Sequence, residues 1–132
     1  MRKILFVCHG NICRSVMAEF ICREKRPEFY CESAAVSYEE EGHDIYPAAK
    51  RCLEAHHIPY TKHRARRIEK KDYDRFDRIY VMDSYNMRNI LRIVSDPDQK
   101  IRMLCPYDIE DPWYTDNFEL VFSQILQGIE SL

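Results

Sequence analysis

Glycine is scarce in this chain: only three of its 132 residues are glycine. No Gly/Ser linker or low-complexity tract interrupts the sequence, and turns must rely on Pro, Asp and Asn. The shortage also excludes two nucleotide loops. The Gly-x4-Gly-Lys-Ser/Thr phosphate loop is absent, and only Gly10 stands where a dinucleotide-binding fingerprint needs three glycines. Paired cysteines are missing as well. The six cysteines, Cys8, Cys13, Cys22, Cys31, Cys52 and Cys105, include no Cys-x2-Cys, so reduced thiols are expected rather than a disulfide framework or a zinc site. No apolar run approaches the roughly 20 residues of a membrane span, and Ile4 to Cys8 is too short for a signal-peptide core. The expectation is a cytoplasmic protein without a membrane partner. Charge of one sign is lacking too. With 20 Lys plus Arg against 22 Asp plus Glu, a net charge of −2 offers no general field for nucleic acid, so any anion site must be local.

What remains is ordinary globular composition, 45% hydrophobic and 32% charged, which excludes disorder. A chain of 132 residues without internal repeats suits a single domain spanning residues 1–132. Lys3 to Cys8 (KILFVC) is a β-favouring run without polar alternation, as in a strand buried on both faces of a parallel sheet. Arg14 to Lys25 carries Met17, Phe20, Ile21 and Glu24 at helical spacing, with Pro27 beyond it. Tyr30 to Ser37 predicts a second strand, and Pro47 to His56 a second helix opened by proline. Arg78 to Met82 predicts a third strand, followed by a helix capped by Ser84 and running to about Val94. Ile101 to Leu104 is a short fourth strand. Asp116 or Asn117 caps a last helix whose stripe is Leu120, Val121, Ile125, Leu126 and Ile129. This alternation predicts an α/β fold with a doubly wound parallel sheet, whose ligands bind at the carboxyl ends of the strands.

Cys8 stands at such an end. The segment Cys8-His9-Gly10-Asn11-Ile12-Cys13-Arg14-Ser15 joins the first strand to the first helix, where free backbone N–H groups and the helix dipole favour an anion. Gly10 and Asn11 tolerate positive φ, which turns successive N–H groups inward as a nest. A nest of this kind favours a thiolate, the reactive form of cysteine. Arg14 can return across the loop and hold two phosphoryl oxygens. Ser15 can hydrogen-bond the Cys8 sulfur or simply cap the helix.

These residues resemble the signature of the low-molecular-weight protein tyrosine phosphatases, Cys-x-Gly-Asn-x-Cys-Arg-Ser. The resemblance extends through Ala18-Glu19, Ser33-Ala34-Ala35-Val36-Ser37, His63-x-Ala65-Arg66, Val81-Met82-Asp83 and Asp111-Pro112-Trp113-Tyr114, and so covers nearly the whole chain. It implies a three-layer domain with a four-stranded parallel sheet in the order 2-1-3-4, helices on both faces, no metal and no cofactor. It implies Cys8 as nucleophile, Arg14 as phosphoryl ligand and Asp111 as general acid and base, chosen over Asp108 and Asp116 by the Asp-Pro-aromatic motif. His9, Gly10, Asn11, Ile12 and Cys13 would contribute the rest of the phosphate loop. His63 and Asp83 would support Asn11, Ser15 and the loop from behind. Cys13 would trap an oxidised Cys8 as a reversible disulfide. The implied substrate is a phosphotyrosine-containing protein or peptide, the product inorganic phosphate and the enzyme a monomer.

The pocket above the loop departs from the family pattern. Val16 replaces a common proline after Arg-Ser, and Glu39 falls where an aromatic wall often sits, beside Tyr38. His9, Ile12, Tyr38, Glu39, Trp113 and Tyr114 are the expected substrate-pocket residues. The basic stretch Lys62, Arg64, Arg66, Arg67, Lys70 and Lys71 reads as a solvated face that can also dock acidic flanks of a phosphopeptide. Three alternatives use the same residues. An arsenate reductase needs further cysteines after the third strand, and Met82 to Leu104 has none. A protein-arginine phosphatase carries Thr where this chain has the apolar Ile12. A phosphate-binding module without turnover has no use for Cys8, Arg14 and Asp111 together.

Overall fold

The computed structural model describes residues 2–132. In chain order the elements are β1 (Lys3–Cys8), α1 (Arg14–Lys25), β2 (Tyr30–Ala35), α2 (Pro47–Ala55), α3 (Lys70–Arg75), β3 (Arg78–Val81), α4 (Ser84–Ile90), β4 (Ile101–Met103), α5 (Pro112–Thr115) and α6 (Phe118–Glu130). The four strands form one parallel sheet in the order β2-β1-β3-β4, the order that the family resemblance implies.

β1 holds the layers together because both its faces are buried. Alternation along the strand sends Ile4, Phe6 and Cys8 to the side covered by α1, α2 and α6, and sends Leu5 and Val7 to the side of Ile68, Tyr73, Phe76 and Ile90. Each of these large apolar side chains contributes on the order of 1.5–3 kcal/mol through burial, so the uninterrupted apolar run is what makes this strand central. α1 is buried at every residue from Arg14 to Cys22. Its one acid there, Glu19, is consequently paired: Ser33 Oγ donates to it at 2.6 Å and Arg23 lies at 2.6 Å one turn on.

Several boundaries differ from the sequence expectations for local reasons. β2 ends at Ala35 rather than Ser37, and its outer edge is closed by the 66–68 segment, with Ala35 N donating to Arg66 O and Ile68 N to Ala35 O. α4 ends at Ile90, and its cap is Asp83, whose Oδ1 accepts from Asn86 N at 2.7 Å; Ser84 instead donates its hydroxyl to Asp108. The chain up to Val94 follows as tight turns. The basic stretch includes an unexpected helix, α3, anchored by a buried acid. Asp72 is fully buried, accepts from Arg66 at 2.9 and 3.2 Å, and accepts from Glu69 N at 2.8 Å. Arg66 is therefore bound in a network and not a solvated charge.

Helix α6 crosses the Leu104–Cys105 turn at Gly128, where an added Cβ would meet Leu104 Cγ at 2.7 Å. Gly128→Ala should thus lower stability by about 1–3 kcal/mol through overpacking, despite the roughly 1 kcal/mol that alanine gains in helix propensity. Urea denaturation measures the sign, and a stabilised variant would contradict this packing.

Candidate active site

The site forms where β1 and β3 end and the strand order reverses. Between β1 and α1 the chain turns through Asn11, which takes φ 61°. Gly10, by contrast, is not in the left-handed region, contrary to expectation. Its need is space, since a Cβ there would lie 3.3 Å from Glu40 Cγ. The turn aims two backbone donors at Cys8 Sγ, Asn11 N at 3.3 Å and Ser15 N at 3.4 Å, and Ser15 Oγ lies 3.1 Å from the same sulfur. Ser15 Oγ already accepts from Asn11 Nδ2 at 2.8 Å, which leaves its own proton free to turn toward an anionic sulfur.

Asn11 is fully buried and bonded on every side. Its side-chain oxygen accepts from Arg66 N at 3.2 Å, and its backbone oxygen lies 2.7 Å from His63 Nε2, which must carry the proton because a carbonyl only accepts. Asp44 in turn accepts from His63 N at 3.0 Å. The Lys50 ammonium, with help from the Ile45 and His63 N–H groups and against some burial, holds the Asp44 carboxyl down at about 2. Asp44 is therefore ionised throughout the neutral range.

Arg14, only 2% exposed, is fixed by three groups from distant parts of the chain. Nη1 donates to Asp83 Oδ2 at 2.7 Å and to Ile109 O at 2.7 Å, and Nη2 to Asp111 Oδ2 at 3.4 Å. Burial alone would weaken its hold on the proton, but the charges at Cys8 and Asp111 and the Asp83 contact outweigh burial and hold it above the ordinary arginine range. Asp83, just after β3, stands behind the loop as a support, and the residue it holds is Arg14. Asp111 caps α5 by accepting from Trp113 N at 3.0 Å and faces the same cavity as Cys8. Burial, followed by the negative charges at Cys8 and Asp111, pushes the Cys13 thiol well up against the pull of Arg14. Cys13 is therefore a neutral thiol at physiological pH and a poor nucleophile.

The cavity measures about 100 Å³ and is floored by the loop from Cys8 to Arg14. Asp111, Trp113, Tyr114 and Glu39 stand around it with Glu40, which the sequence reading missed although it follows Glu39 directly. His9 and Glu39 close one side at 2.9 Å. Trp113 packs against Tyr46, ring centroids 4.9 Å apart, while Tyr114 projects outward, 81% exposed. Tyr46 is a second missed residue, legible only as the aromatic ahead of Pro47. Tyr38 is not part of this cavity. It turns to Arg67, which stacks over its ring at 4.4 Å and donates to its hydroxyl, and it lines a separate groove.

The sequence profile of the low molecular weight phosphotyrosine protein phosphatases matches residues 3–132. A phosphatase of that name from Sus scrofa is 38% identical over 96% of this chain and 90% of its own length. The low molecular weight protein-tyrosine-phosphatase PtpA of Staphylococcus epidermidis is 32% identical over the whole chain and 92% of its own. The crystal structure of SP-PTP, a low molecular weight protein tyrosine phosphatase from Streptococcus pyogenes, superposes with a TM-score of 0.93 at 34% identity, covering 99% of this chain and 90% of that one.

The Asn11 turn generates a stability test. Asn11→Ala combines a strained left-handed residue with the loss of the acceptor for Arg66 N and of the donor to Ser15 Oγ, and should cost about 2–4 kcal/mol. Asn11→Gly relieves the strain and loses only the hydrogen bonds, so chemical denaturation should rank it above the alanine variant. Equal stabilities would remove the backbone strain from the account.

Proposed function

The chain belongs to the low molecular weight phosphotyrosine protein phosphatase family, and from that premise we propose that it hydrolyses phosphotyrosine through a cysteinyl-phosphate intermediate. The observation that carries the proposal is convergence. Cys8 Sγ receives two backbone N–H groups at the floor of the cavity that Arg14 and Asp111 also face.

In the first step the Cys8 thiolate attacks phosphorus, an S–P bond forms and the P–O bond to the phenol breaks. The loop N–H groups and the Arg14 guanidinium hold the equatorial oxygens, so catalysis rests on positioning and electrostatic stabilisation. Asp111 protonates the leaving phenolate. In the second step Asp111 takes a proton from water, whose oxygen attacks phosphorus, the S–P bond breaks and inorganic phosphate is released. Ser15 donates to the departing thiolate. The brace of Asp83 and Ile109 O on Nη1 leaves the opposite side of the Arg14 fork for substrate. His63 and Asn11 hold the loop in the conformation that presents its donors.

Trp113, Tyr114, Ile12, His9 and Glu39 form the pocket that receives the phenyl ring. The apolar Ile12 and the Trp113 face suit a flat aromatic group over the hydrogen-bonding guanidinium of phosphoarginine and the short phosphoserine. The reading includes phosphotyrosyl proteins or peptides as substrates, a monomeric enzyme and a cytoplasmic location. Among the described residues no helix is long and apolar enough to cross a membrane.

Hydrolysis of p-nitrophenyl phosphate is the direct test. Cys8→Ser and Arg14→Ala should abolish turnover, and Asp111→Asn should lower kcat by about 10²–10⁴-fold; full activity in Cys8→Ser would refute the covalent mechanism. A separate assay on matched phosphopeptides addresses specificity. The highest kcat/KM should fall on phosphotyrosine, and a preference for phosphoarginine would assign the pocket to the other branch of the family.

A further inference from the structure

Away from the catalytic cavity, three side chains of different chemistry meet where α2 packs against α6. Cys52 and His56 are four residues apart, so a helical turn places them on one face, His56 being the C-cap of α2. Glu119, in the first turn of α6, faces both. Its Oε2 lies 3.3 Å from Cys52 Sγ and 2.9 Å from His56 Nε2, and one donor atom from each of the three residues falls within 4.8 Å of the other two.

We propose that Cys52, His56 and Glu119 form a binding site for a zinc-type divalent cation that clamps α2 to α6. The proposal goes beyond the phosphatase reading and uses none of its residues. One thiolate, one imidazole and one carboxylate are a ligand set for a borderline-soft ion such as Zn²⁺, and three protein ligands leave a fourth tetrahedral position for water. With Zn–S near 2.3 Å and Zn–N and Zn–O near 2.0–2.1 Å, a tetrahedral site separates its donors by about 3.4–3.6 Å. The two spacings to Glu119 need to open by only a few tenths of an ångström, and the Cys52 and His56 donors lie within 4.8 Å of each other. The side chains permit this: Cys52 is buried and fixed, whereas Glu119 is 70% exposed and free to adjust. The imidazole is held edge-on to the site by stacking on Phe122, centroids 3.8 Å apart with planes 10° from parallel. The cysteine spacing that argues against a Cys-x2-Cys zinc site does not bear on this one, because only one of its ligands is a cysteine.

In the cation-free protein, burial and then the Glu119 contact push the Cys52 thiol up to about 12. Binding therefore replaces the thiol proton, which passes to solvent, with the metal. The clamp would also reach the substrate wall. Phe118, beside Glu119, stacks on Tyr46 just ahead of α2, and Tyr46 packs against Trp113.

The test uses Co²⁺ as a spectroscopic stand-in and Zn²⁺ in competition with a chromophoric chelator, both on the Cys8→Ser protein so that the catalytic thiol cannot serve as ligand. One equivalent of Co²⁺ should produce a thiolate-to-metal charge-transfer band that Zn²⁺ displaces. The band should vanish on adding Cys52→Ser, and His56→Ala or Glu119→Gln should each weaken Zn²⁺ binding at least about tenfold. His56 and Glu119 are surface positions, so those variants carry the test even if Cys52→Ser folds poorly. A band that survives Cys52→Ser, or Zn²⁺ affinity unchanged in both surface variants, would overturn the proposal. Because binding is read without turnover, a failed catalytic reading leaves it intact.

Discussion

A guanidinium buried to 2% exposure cannot keep its charge without partners, and the arrangement around Arg14 follows from that requirement. Its three partners come from two stretches, Asp83 after β3 and the pair Ile109 O and Asp111 in the loop between β4 and α5. Satisfying one cation therefore fixes how the carboxyl ends of β1, β3 and β4 meet. Buried ion pairs seldom return more free energy than desolvation takes, so this triad is poor value as a stabiliser. As a device that points a charged fork into a cavity it has an evident use. On the proposed mechanism, the same contacts that neutralise Nη1 leave the other side of the fork to meet a phosphoryl group in the geometry it already holds.

Asn11 does for the loop what Asp83 does for the arginine. A left-handed residue is needed to turn successive N–H groups toward Cys8, and asparagine accepts that conformation while supplying a side chain. Glycine would give the turn without the bonds to Ser15 and Arg66. Through His63 and Asp44 the loop is tied to the start of α2, and through Arg66 to the buried Asp72 of α3. Both layers of helices therefore support a turn of a few residues, and the donors around Cys8 are positioned before any ligand arrives.

The sheet was legible because β1, its central strand, is a pure apolar run and because proline and Asx residues mark the ends of elements. The loop was legible because its chemistry is local: Gly, Asn, Arg and Ser at short spacing say what they do. What escaped the sequence depends on long-range geometry. α3 has six residues and no apolar stripe, so its stability resides in Asp72 and the distant Arg66. Ser84 looks like the cap of α4, but Asp108, 24 residues away in sequence, captures the serine, and Asp83 caps the helix while its other oxygen braces Arg14, 69 residues away. Tyr38 looks like a pocket wall beside Glu39, yet Arg67 across the β2 edge draws it elsewhere. Pairings of this kind carry no local signal.

The charge layout of the cavity bears on how a substrate would be chosen. Positive potential is concentrated at the floor, in Arg14 and the N-terminal turn of α1, while Glu39, Glu40 and Asp111 place carboxylates around the walls. An anion held near the rim meets like charge, screened by solvent at the exposed Glu39, whereas one seated on the loop meets the opposite sign in a buried setting where screening is weaker. His9 bonded to Glu39, and His43 bonded to Glu40 at 2.6 Å, place imidazoles that can offset the rim charges when protonated. A rigid aryl spacer lets the phosphoryl group reach the floor while the rest of the substrate stays outside the walls. A phosphate on a short aliphatic side chain would draw its own backbone down among the carboxylates. On the proposed reading, depth and charge act in the same direction, and contact with Trp113 would add to the preference for an aryl phosphate.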